Sequence, residues 1–229
     1  MIGEDGNYND IPPKFVIATI SEESENPSGG GGGWSGGTGN IGCPRDKTCP
    51  IWPFTDADTH AWYHDGVHYC IENGLMNGYG NNMFGPGDTL SRAMLVQILC
   101  NREGMPRVAG SSPFTDVAAG AWYADAVIWA EAYGVIEGYG YGKFGPDAPI
   151  TREQLAVMLY RFVDKPAVIG DLSSYPDAAD IHDWANSDMI WAVQNGIIQG
   201  AGGKLNPLNN ASRSEAATML MRFCQNIDK

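Results

Sequence analysis

Long apolar runs are missing from this sequence. No stretch approaches the roughly 18–20 residues that a membrane-spanning helix requires, so membrane insertion is not expected. Basic residues are scarce as well, 14 Lys and Arg against 27 Asp and Glu, for a formal net charge of −13. A nucleic-acid or anionic-membrane surface needs a basic patch, so neither partner is expected. The opening MIGEDGNYND lacks the basic and apolar regions of a signal peptide. With the strand-like run KFVIATI that follows, residues 1–27 read as the remnant of an upstream domain, or as disordered, within a longer secreted protein. Catalytic signatures are absent too: there is no Gly-x-Ser-x-Gly and no cysteine with a plausible histidine partner, and no carboxylate pair is singled out as in a glycosidase. No enzymatic role and no cofactor are expected.

What is present is a chain of 229 residues, 43% hydrophobic, long enough to bury a sizeable core. Residues 28–53 form a glycine-rich linker, SGGGGGWSGGTGN, followed by the loop CPRDKTC. In an oxidising compartment Cys43 and Cys49 are expected to form a local disulfide; the alternative is a pair of free surface thiols, with no second cysteine pair nearby to complete a zinc site. Cys70, Cys100 and Cys224 lie in helical patterns and read as small core residues, with a Cys70–Cys100 bridge as the alternative.

The rest of the chain repeats. Residues 54–104 align with 114–164 at an offset of 60, and 175–225 follow at 61–62. The three copies are placed at 54–106, 113–166 and 174–229. Each begins with an aromatic residue, Thr or Pro, and Asp. A first helix follows, whose stripe in copy two is Trp122, Ala126, Trp129, Ala130 and Tyr133. It ends at Gly74, Gly134 or Gly196, each followed by two apolar residues, the chemistry of a left-handed C-cap. A second helix starts at Ser91, Thr151 or Ser212, where Gln154 and Glu215 complete capping boxes in copies two and three. Two short helices cannot bury both stripes alone, so neighbouring copies are expected to share a core.

Copy two contains Gly140-x-Gly142-x-x-Gly145, a spacing that can cradle phosphate, but it follows a helix rather than a strand and has no Gly-Lys-Ser/Thr. The glycines kept in all copies, 78 and 80, 138 and 140, 200 and 202, serve either positive φ angles or the approach of a ligand. Directly after each N-cap stands Arg92, Arg152 or Arg213, facing the positive end of its helix dipole. Something negative should meet each guanidinium. Asp56, Asp116 and Asp177 can supply it internally, an anionic ligand can bind beside free helix N–H groups, and the two can coexist.

The run Phe-Thr-Asp, Trp, Gly-Val-Ile, Gly-x-Gly, Phe-x-Pro, Ile-Thr-Arg-Glu of copy two resembles the S-layer homology domain, and the resemblance covers residues 54–225. It implies a mainly α-helical, pseudo-threefold wedge of three helix–loop–helix repeats. Its implied role is non-covalent anchoring of a secreted protein at the bacterial cell wall, outside the cell. The implied ligand is a secondary cell-wall polysaccharide, often with a pyruvylated amino sugar, held in grooves between copies. The family's groove residues carry over onto Arg92, Arg152 and Arg213, onto Asp56, Asp116 and Asp177, and onto Trp62, Trp122 and Trp184. Its glycine-rich loop carries over onto Tyr79, Gly80, Tyr139, Gly140 and Gly202, while Ala201 replaces the loop tyrosine in copy three. Copy two keeps the full set, so Arg152 is expected to matter most. The competing class is a protein–protein or oligomerisation module, self-associating with other surface proteins without glycan.

Three further signals are weighed. The tryptophans read as core residues or as indoles lying under a sugar ring. His60, His64 and His68 share an i, i+4, i+8 spacing, but nothing evident completes a site, so no metal is expected. Asp56-x-Asp58 resembles an EF-hand opening without its glycine or closing glutamate.

Overall fold

The computed structural model describes residues 42–227; the readings made for residues 1–41 lie outside them. Six α-helices and no strand occur among the described residues: α1 (His64–Glu72), α2 (Arg92–Arg102), α3 (Ala124–Ala132), α4 (Arg152–Phe162), α5 (Asn186–Gln194) and α6 (Arg213–Ile227). Two short 3-10 turns, Ala178–Asp180 and Asp183–Ala185, precede α5.

Local chemistry sets the boundaries. Gly74, Gly134 and Gly196 end α1, α3 and α5 with φ of 66° each, and the following apolar residues fold back, as Leu75 N–H donating to the Cys70 carbonyl shows. Ser91 and Thr151 accept from the backbone N–H three residues on, and Gln154 and Glu215 return the bond to the N-cap backbone.

The expected shared core is present, and its main helix pairings join different copies. α1 of copy one packs on α6 of copy three, α2 on α3, and α4 on α5. At α1 the approach is close: a Cβ on Gly66 would stand 2.6 Å from the Thr218 Cα, so only glycine fits there. The three copies close around a ring of backbone hydrogen bonds. Leu90 N–H donates to the Ala211 carbonyl, Ala211 to Ile150 and Ile150 to Leu90, each at 2.9 Å. All three residues are fully buried, so the ring marks the pseudo-threefold axis. Cys70, Cys100 and Cys224 are buried in this core. Burial pushes the Cys100 thiol up to about 11.

Candidate functional site

Each second helix begins against the loop of a neighbouring copy, and this places the arginines. Arg92 N–H donates to the Ala148 carbonyl and Ala93 N–H to that of Pro146. Arg152 and Glu153 do the same with Asn209 and Pro207, and Arg213 and Ser214 with Asp88 and Pro86. The helix N–H groups expected to be free for an anion are therefore occupied.

The guanidiniums are also internally satisfied, though not by the recurring aspartates. Arg92 Nε donates to the Phe144 carbonyl at 3.0 Å and Nη2 to that of Glu137 at 2.8 Å. Its plane lies 4.4 Å from the Tyr139 ring centre and 4.9 Å from that of Phe144. Arg213 repeats the arrangement with Phe84 and Asn77 as acceptors and Tyr79 and Phe84 as rings. Among the described residues neither arginine has a carboxylate partner. What compensates a cation at the positive helix end is thus a pair of carbonyl dipoles and an aromatic face. Each of the three arginines is only 5% exposed, and burial lowers their pKa.

Arginine and tyrosine come from different copies, which corrects the expectation built on copy two. Tyr139 belongs to Arg92, whereas Arg152 faces the copy-three loop, where Ala201 offers no ring. Arg152 Nε donates to the Leu205 carbonyl at 2.9 Å, and Nη1 meets Glu215 Oε1 at 3.4 Å. Its charge is already paired.

The aspartates act elsewhere. Asp56 accepts from the backbone N–H groups of Phe84 and Gly85 at 2.8 and 2.7 Å. Asp116 clasps Phe144 and Gly145 in the same way, and Asp177 clasps Leu205 and Asn206. They hold the glycine-rich loops rather than the arginines. Partial burial works to raise the Asp116 and Asp177 carboxyls, but their paired backbone donors outweigh it and leave both below the usual range. A depressed carboxyl contributes stability above its unfolded value near 3.9 that is lost as pH falls through the folded value. Thermal melts should therefore fall as pH drops below about 4, and Asp177→Asn should flatten that fall; an unchanged profile would remove the clasp from the account.

Trp62, Trp122 and Trp184 are 67, 62 and 54% exposed, so the core reading of these residues is wrong. Trp129, seven residues after Trp122 and within α3, takes the core place instead. A cleft of about 200 Å³ has Arg92 and Tyr139 on one side, Gln154 and Arg161 of α4 on another, and Trp184 of copy three at its lip. A second cleft of about 500 Å³ gathers Arg213, Tyr79, Gln97, Asn101 and Trp122. Each cleft joins three copies. Gly80 and Gly140 turn the loops that carry the tyrosines, with φ of 91° and 92°, angles that favour glycine; Gly202 has a φ of 59° in the copy-three loop.

Some residues in or beside the first cleft are not marked by the repeat pattern. Glu153, 2% exposed, bonds the His182 ring nitrogen Nδ1 at 2.7 Å, and that ring stacks on Trp184 with centres 5.3 Å apart. Arg161 pairs with Glu137 at 3.1 Å. Neither pair recurs in the other copies, so the repeat pattern could not point to them.

The thiols and imidazoles of copy one also differ from expectation. Cys43 and Cys49 are not bonded to each other; both are free. His60 is exposed and lies before α1, whereas His64 and His68 are buried and share their surroundings with the two cysteines. The reading that nothing completes a histidine site is thereby corrected.

A family model described as the S-layer homology domain matches residues 53–93, 113–156 and 174–217. Among similar proteins is the "Surface-layer 125 kDa protein" of Lysinibacillus sphaericus, 34% identical over 168 residues, 72% of this chain and 14% of the relative. The "S-layer protein" of Bacillus licheniformis is 29% identical over 168 residues, 73% of this chain and 19% of that protein. The "Amylopullulanase" of Thermoanaerobacterium thermosulfurigenes is 28% identical over 165 residues, 69% of this chain and 9% of that protein. The chain thus spans less than a fifth of the length of these relatives.

Proposed function

Because this chain belongs to the S-layer homology family, we propose that its three copies anchor a surface protein to the bacterial cell wall by binding a wall polysaccharide in the Arg92 and Arg213 clefts. The observation that carries the reading is the repeated juxtaposition, across copies, of a buried guanidinium held by backbone carbonyls, with no carboxylate in ion-pair contact among the described residues, an exposed tyrosine and an exposed tryptophan. Exposed indole and phenol rings suit the apolar face of a sugar. A cation at the cleft wall suits a carboxylated substituent, such as the pyruvyl group that the family resemblance implies. The third arginine is paired to Glu215 and lacks the ring, so two clefts are assigned the binding and the third is not.

Net charge bears on the mechanism. At −13 the chain repels a polyanion at long range, so attraction must come from contacts within a Debye length, about 8 Å in physiological salt. Tight binding at moderate salt and a weak salt dependence follow.

The test uses the exposed tryptophans, whose removal should leave the fold intact within about 0.5 kcal/mol. Trp184→Ala and Trp122→Ala should each weaken sedimentation with purified wall sacculi roughly fivefold to tenfold, the worth of about 1–1.4 kcal/mol. Trp62→Ala should change it little, and stripping the polysaccharide from the sacculi should abolish it. If the parent sediments equally with stripped walls, or if neither cleft variant weakens, the polysaccharide reading fails and protein–protein attachment replaces it.

A further inference from the structure

We propose that Cys43, Cys49, His64 and His68 form a tetrahedral zinc site that clamps the segment before copy one onto α1. The proposal rests on no part of the wall-binding reading. The four donor atoms lie within 4.8 Å of one another, and the site is largely buried: Cys49, His64 and His68 are 2, 1 and 7% exposed.

The distances fit a metal. Zinc–sulfur bonds of about 2.3 Å and zinc–nitrogen bonds of about 2.0–2.1 Å at tetrahedral angles place nitrogen and sulfur roughly 3.5–3.6 Å apart. Cys49 Sγ lies 3.5 Å from His64 Nε2 and 3.6 Å from His68 Nδ1. Two thiolates and two imidazoles in this geometry select zinc over calcium or magnesium, which prefer oxygen donors.

The surroundings are those of ligands rather than of core side chains. On its far side His64 Nδ1 bonds Asp65 Oδ1 at 2.7 Å, and His68 Nε2 faces Glu72 Oε2 at 3.5 Å. A carboxylate on the outer nitrogen fixes that nitrogen as the N–H donor and turns the other lone pair inward, towards the sulfurs. Both imidazoles are oriented this way, although one through Nε2 and the other through Nδ1. A single thiol proton on Cys49 cannot satisfy two inward lone pairs, whereas one zinc ion engages all four donors. The Arg45 N–H points at Cys43 Sγ from 3.3 Å, a bond that stabilises a thiolate, and the Arg45 guanidinium stands 3.7 Å from Asp65.

The site is confined to copy one. At the places of His64 and His68, copy two has Ala124 and Ile128, and copy three has Asn186 and Ile190. Only copy one is preceded by two cysteines, and only copy one puts imidazoles on the α1 face they reach. α1 is also the helix that closes the wedge against α6. A metal here ties the lead-in segment, with its buried Ile51, to the helix at the seam between copies one and three. Binding converts both thiols to thiolates and releases their protons to solvent.

Protein carrying the natural sequence, purified in reductant and dialysed free of loose metal, should retain about one zinc per chain by elemental analysis. Cobalt(II) added after zinc removal should give the strong visible bands of a tetrahedral thiolate complex. Cys43→Ser, at the least buried ligand, should lose metal without unfolding, and Asp65→Ala should weaken zinc roughly 10–100-fold. A strong chelator should lower the melting temperature of the parent but not of Cys43→Ser. Either of two results overturns the site: a Cys43–Cys49 disulfide without zinc in non-reduced protein from its native secretion route, or reduced thiols that bind neither zinc nor cobalt.

Discussion

Deleting copy three, residues 174–229, is expected to abolish the cooperative unfolding transition rather than merely lower its midpoint. α1 would lose α6, its main packing partner, and α4 would lose α5. Met189, Ile197, Leu205, Leu220 and Phe223 are each nearly or wholly buried, and Tyr160 and Phe162 of copy two, which meet Trp191 and Phe223, would face water. At about 1.5–3 kcal/mol for each large buried side chain, these five alone represent on the order of 10 kcal/mol. That equals the whole net stability of a typical domain, about 5–15 kcal/mol. The Leu90–Ala211–Ile150 ring would also open, leaving buried backbone groups unpaired. Calorimetry of the two-copy chain decides the matter. A sharp, native-like transition would show that the copies fold independently, against the exchanged helix pairs.

Replacing Arg92 or Arg213 with alanine is expected to destabilise the fold by about 3–4 kcal/mol, because truncation strands the buried carbonyl of Phe144 or Phe84, removes the bond to that of Glu137 or Asn77, and opens space beneath an aromatic ring. For a chain of this size that lowers the melting temperature by roughly 6–16 °C. The sequence alone suggests a small effect, since an exposed cation at the start of a helix contributes nothing favourable. Burial reverses this. Lysine should recover little, because one ammonium on a flexible stem cannot donate along two fixed directions while lying flat on a ring. Melts of Arg92→Ala, Arg92→Lys and Arg213→Ala, read beside their wall sedimentation at a temperature where each is folded, separate the two roles. Parental melting in all three would mean that the carbonyl contacts carry no stability. Parental wall binding in the folded variants would confine these arginines to the fold.

Much of the architecture is legible in the residues themselves because its causes are local. The glycine stops with φ of 66° and the capping boxes at Thr151 and Ser212 follow from neighbours within a few positions, and the sharing of a core follows from a repeat too short to bury its own stripes. A repeat pattern also shows where each copy departs, as with Ala201 in place of a tyrosine.

What the tertiary structure decides is which copy meets which. Arg92 lies on Tyr139 and Arg213 on Tyr79, while Arg152 is left to Glu215, and no spacing within one copy contains that information. The tryptophans read as part of a helical stripe, yet α1 and α3 begin two residues after Trp62 and Trp122, and Trp184 lies in the 3-10 turn before α5; all three rings are exposed, while Trp129 within α3 is buried. Cys43 and Cys49 read as a disulfide because they are close in sequence, and His64 and His68 as an incomplete pair because sequence offers them no partner. Folding the lead-in segment against α1 places the sulfurs beside the imidazoles, with carboxylates behind them. The reason is common to all three cases. Helix ends and turns answer to chain neighbours, which sequence order preserves, whereas charge pairing, burial and metal ligation answer to distance in space, which only the closure of three copies around one axis sets.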